Sequence, residues 1–105
     1  MEPAVARQQL VILSAAEPGG EGLPPIGPRA EIVARLRSFN TAPEREGDLV
    51  LHGPGIRIEM ADEDPVRQML LTVTEEEIAW QVILRVARAL GWKLLDPTSG
   101  RELTP

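Results

Sequence analysis

Between Leu49 and Met60 the chain reads Leu-Val-Leu-His-Gly-Pro-Gly-Ile-Arg-Ile-Glu-Met, and no other stretch restricts the fold as tightly. Pro54 fixes φ for the second position of a tight turn, and Gly55 supplies the positive φ that a type II turn needs at its third. Counting outward from that turn sets Leu51 against Ile58 and Leu49 against Met60, with His52 against Arg57 and Val50 against Glu59 on the other side. One face is then wholly aliphatic and the opposite face mostly polar, the pattern of a sheet packed on a core from one side. A single long strand with a glycine bulge is the alternative reading of these residues.

The rest of the chain supplies partners for this hairpin. Gln8 to Ser14 is a short aliphatic run, apolar at successive positions, and reads as a central strand buried on both faces. Arg67 to Val73 is a further strand with Met69, Leu71 and Val73 on one face, and Trp92 to Leu95 is another. Arg101 to Thr104 can return as a short edge strand after the turn at Asp96 to Gly100.

Two helices separate these strands. The first opens at Pro28, whose missing N–H costs nothing in the first helical turn, and carries Ile32, Val33, Leu36 and Phe39 on one stripe. Asn40 can adopt a left-handed conformation and Pro43 forbids continuation, so the helix ends near residue 39 or 40. The second follows Thr74, which forms a capping box with Glu77. Its apolar residues, from Val82 through Ala79, Ile83 and Trp80 to Leu84, cover about 200° at 100° per residue, wide enough to touch a sheet and a neighbouring helix. Gly91 ends it, and Trp92 packs back toward Ala87.

The resulting order, strand, helix, three strands, helix, strand, gives an α+β fold. It is a two-layer sandwich with two helices on one face of a mostly antiparallel sheet of four to five strands. This order resembles the ferredoxin-like β-α-β-β-α-β plait with one strand split at Gly53-Pro54-Gly55. Such a resemblance carries no function with it, because that fold hosts many. Residues 1–7 read as a loose tail and 8–105 as one domain. Within it, residues 15–27 form a mobile loop, for eight of the eleven residues from Pro18 to Pro28 are Pro or Gly.

At 105 residues a two-domain enzyme is excluded, and the absence of cysteine excludes disulfides, thiolate catalysis and Cys-based metal sites. Eleven basic residues against sixteen acidic ones give a net charge of -5. Residues 1–45 hold five of each sign, whereas 46–105 hold six basic and eleven acidic residues. A polyanionic partner would have to be held against that field, so nucleic acid is not the expected partner. The longest aliphatic run in the first half, Leu10 to Leu13, is far below a membrane span, and the acidic start Met-Glu-Pro is unlike a signal peptide. The expectation is a cytoplasmic protein with no membrane partner.

Candidate chemistry is sparse. His52 is the lone histidine. Its imidazole could do acid/base work near neutral pH, with Arg57 or Glu59 on the ligand side, but no nucleophile lies beside it in sequence. Asp62, Glu63 and Asp64 are hard oxygen ligands of the type Ca²⁺ or Mg²⁺ takes, without the spacing of an EF-hand loop. No glycine-rich phosphate loop is present and no cofactor is expected.

Two helices cover only one face of a sheet. Val11, Leu13, Val50 and Leu70 then fall together on the other face, and an uncovered apolar patch marks a binding surface. The expected function is therefore a non-enzymatic binding protein whose partner is another protein or a second copy of the chain, as a homodimer. The rival is a ligand-binder or enzyme of the dimeric α+β-barrel type using His52. A divalent-metal-responsive protein comes last.

Overall fold

The computed structural model describes residues 8–16, 22 and 24–103. The first-tail reading of residues 1–7 lies outside the described residues, as does most of the Pro/Gly segment at 17–21 and residue 23.

The elements follow in the order β1 (Gln9–Ser14), α1 (Arg29–Arg37), β2 (Ala42–Pro43), β3 (Val50–Gly53), β4 (Ile56–Met60), β5 (Gln68–Val73), α2 (Glu76–Leu90), β6 (Trp92–Asp96) and β7 (Arg101–Leu103). All seven strands join one antiparallel sheet in the order β2-β3-β4-β5-β1-β6-β7. The α+β architecture therefore holds, on a sheet wider than the four to five strands expected. Two features widen it. Ala42–Pro43, too short to show a period, pairs Ala42 with His52 and Pro43 with Leu51, and Arg101–Leu103 pairs back onto β6 with Leu103 opposite Leu94.

The register expected for the hairpin is the register found. Val50 lies opposite Glu59, Leu51 opposite Ile58, His52 opposite Arg57 and Gly53 opposite Ile56, with Gly55 at φ 71°. β1, the most aliphatic strand, is interior: Leu10 faces Leu71 on β5, and Ile12 faces Met69 on β5 and Leu94 on β6.

Alternation along the strands sends one set of side chains into a single core. Leu10, Ile12, Leu51, Ile58, Leu71 and Leu94 are all but inaccessible there, and Ile32 and Leu36 of α1 join Ala79, Ile83, Val86 and Ala87 of α2 over the same cluster. Both helices thus lie on one face. The arc of α2 that reaches the core is narrower than its sequence implies: Leu84, at one margin, is 43% exposed, and Ile78 on the far side is 41% exposed.

Helix ends show where local rules yield to tertiary contacts. The capping box is not formed; α2 begins at Glu76 with Glu75 in the N-cap position and no side-chain cap. The amides of Thr74 and Glu75 both donate to the carbonyl of Gly55, at 2.8 and 3.1 Å, which seats the start of α2 on the β3–β4 turn. At the other end Gly91 takes the left-handed conformation and the chain turns directly into buried Trp92. Asn40 likewise lies at φ 56° just beyond α1.

Candidate functional site

The face of the sheet opposite the helices is defined by the register. Along its middle run Val50, Glu59, Leu70, Val11, Leu95 and Glu102, each opposite the next on the adjoining strand. One row away lie His52, Arg57, Thr72 and Gln9. On the other side Leu13 sits between Gln68 and Lys93.

The four apolar residues expected on this face are all there. Val11 and Leu70 are direct neighbours, Leu13 is two residues along β1, and Val50 is separated from Leu70 by Glu59. Each is half-buried, shielded by neighbours on its own sheet, and no described helix packs over them. Leu95 extends the patch across β6 and was not singled out from sequence. Its signal was available, because Leu94 faces the core and the next residue of a strand must face away.

Polar side chains close the patch on both flanks. Arg57 Nη2 lies 3.2 Å from Glu59 Oε1 along β4, and Lys93 Nζ lies 3.8 Å from Glu102 Oε1 across β6 and β7. Thr72 is only 2% exposed although it belongs to this face, and its hydroxyl accepts from Gln9 Nε2 at 3.3 Å. A shallow depression of about 360 Å³ opens beside Val11 and Leu70, walled by Glu59 and Gln68.

No family model, curated protein or solved structure matches the chain.

His52 stands on this face at the β2–β3 edge with its side chain 49% exposed. Its Nε2 is 3.8 Å from Glu44 Oε1. It lines neither that depression nor the larger cleft of about 520 Å³ between α1 and residues 43–48. Of its two expected companions, Arg57 lies opposite it, while Glu59 is turned to Arg57.

The three acids at 62–64 do not converge. Asp62 Oδ1 accepts from Arg29 Nη2 at 3.2 Å, Asp64 Oδ1 accepts from the Arg29 amide at 3.0 Å, and Glu63 Oε2 accepts from the Arg67 amide at 3.4 Å. Among the described residues no cluster of three His, Asp or Glu could hold a metal ion. Asp62 and Asp64 instead fasten the start of α1 to the β4–β5 connection, while the Glu63 carboxylate bonds within that connection. Asp64 acts as a helix cap from 35 residues away, at the end where negative charge is favoured. Backbone bonds reinforce the fastening: the Ile26 amide donates to the Val66 carbonyl at 2.7 Å and the Val66 amide to the Gly27 carbonyl at 2.8 Å.

No described helix is long and apolar enough to cross a membrane.

Proposed function

We propose that this chain is a small non-enzymatic binding protein that works through its open sheet face. The observation that carries the reading is the contiguous run Leu70, Val11 and Leu95, uncovered by either helix and bordered by two ion pairs. An apolar centre inside a polar rim is the anatomy of a protein-binding surface, where central residues supply affinity and the rim supplies selectivity. The net charge of -5 favours a protein over a nucleic acid as occupant.

The fold reading that accompanies it is a ferredoxin-like plait made by β4, β5, β1 and β6 with the two helices. Two split crossovers support it: β5-α2-β6 leaves β1 between its strands, and β1 and β4, joined through α1, leave β5 between theirs. β2, β3 and β7 are then additions at the edges. A cytoplasmic location remains part of the proposal, resting on the cysteine-free composition.

Capture of tagged protein from a lysate of the source cell, read by mass spectrometry, tests the binding reading. The wild type should retain a stoichiometric protein, its own copies included, that Leu70→Glu and Val11→Glu lose while keeping their circular dichroism. Equal retention by all three, or ligand-induced stabilisation that disappears in His52→Ala, would overturn it.

A further inference from the structure

Resting on the reading of the open face as a binding surface, we infer that its occupant is a second copy of this chain, in a two-fold dimer that stacks the two open faces. Charge is the first argument. The chain carries -5, yet the side chains that alternate onto this face include two cations, Arg57 and Lys93, and two anions, Glu59 and Glu102. Glu44 borders the face beside His52, and most of the remaining acidity lies elsewhere, on the 62–64 turn, the start of α2 and the loops. Two copies can therefore meet here without the repulsion that the acidic turn at 62–64 or the start of α2 would impose.

Symmetry is the second argument. A two-fold interface requires one patch to complement itself. Each flank of the apolar centre presents both a cation and an anion, Arg57 with Glu59 on one side and Lys93 with Glu102 on the other. Whichever flank faces it, the partner copy can offer the opposite sign. A foreign partner would need no such balance.

The sheet edges are the third. Among the described residues β2 has two, one of them Pro43, and β7 has three, so neither edge offers a long ladder along which a further strand could add. Short edges disfavour growth of the sheet edge to edge, and the face is the better route for sheet-to-sheet association.

Sedimentation equilibrium from about 1 µM to 1 mM tests this. A dimer is expected in the wild type, weakened at least about thirtyfold in Leu70→Glu, as for a central residue of an interface. Lys93→Glu, which changes rim charge without touching the core, should weaken the dimer in low salt and recover as salt rises. A monomer at the highest concentration, or a dimer unaffected by both substitutions, would overturn the inference. A monomer that still captures a different protein, lost in Leu70→Glu, would overturn self-association and leave the binding reading standing. A monomer that captures nothing dependent on Leu70 would remove both.

Discussion

A Cβ added to Gly55 would lie 2.7 Å from Cγ1 of Ile78, so the tip of the β3–β4 hairpin and the first turn of α2 meet with no room for a side chain between them. The same Cβ would be 2.8 Å from the Glu75 carbonyl oxygen and 3.0 Å from the Ala79 amide, which are backbone atoms that cannot rotate aside. Gly55 also sits at φ 71°. Gly55→Ala should therefore lose about 2 kcal/mol or more, combining left-handed strain with overlap, in urea denaturation. A loss below about 0.5 kcal/mol would show that the helix start can shift freely.

Leu70 and Leu71 are adjacent in sequence and opposite in consequence. Leu71 is buried in the core, whereas Leu70 lies half-buried on the open face. Leu71→Ala should cost about 2 to 5 kcal/mol at any protein concentration. Leu70→Ala should cost about 1 kcal/mol or less at micromolar protein, rising with concentration as association adds to wild-type stability. Thermal melts of both variants over a hundredfold dilution series would separate the two.

The cap supplied by Asp64 gives a third expectation. Asp64→Ala removes the acceptor for the Arg29 amide and should destabilise the fold by about 1 kcal/mol, while Asp64→Asn keeps an oxygen there and should cost less. If both variants melted with the wild type, the link between α1 and the β4–β5 connection would be carried by the backbone bonds at Val66 alone.

Millimolar Ca²⁺ should leave the melting temperature unchanged, because Asp62, Glu63 and Asp64 each face a separate protein donor. A calcium-dependent rise abolished by Asp62→Asn would mean that the Arg29 pair opens to admit a cation.

Much of this architecture could be read from residue order, and the parts that could not share a physical cause. The hairpin was legible because Pro54 and Gly55 fix the turn and a period of two then dictates every pair from Val50 to Glu59 outward. The body of α2 and its end at Gly91 were legible, but its start, read at a Thr74 cap, was not. Thr74 satisfies every local rule for a cap, yet its amide and that of Glu75 are engaged by Gly55, a contact that exists only once the hairpin and helix are docked. β2 was hidden for a similar reason: two residues have no period, and Ala42–Pro43 is a strand only because His52 and Leu51 lie beside it. On the open face, Val11, Leu13, Val50 and Leu70 followed from alternation. The acids at 62–64 suggested a cation site because sequence alone does not reveal that Arg29 lies next to them.

The interior position of β1 bears on how the chain is made. The most aliphatic strand leaves the ribosome before both of its partners in this sheet, and waits until Leu71 and then Leu94 have been synthesised. Its ladder partners are β5 and β6, so the centre of the sheet closes late, from contacts distant in sequence. During that interval Leu10 to Leu13 is the segment most exposed to wrong partners, and a nascent chain stopped before β6 would present it as a sticky half-sheet to the cell's chaperones.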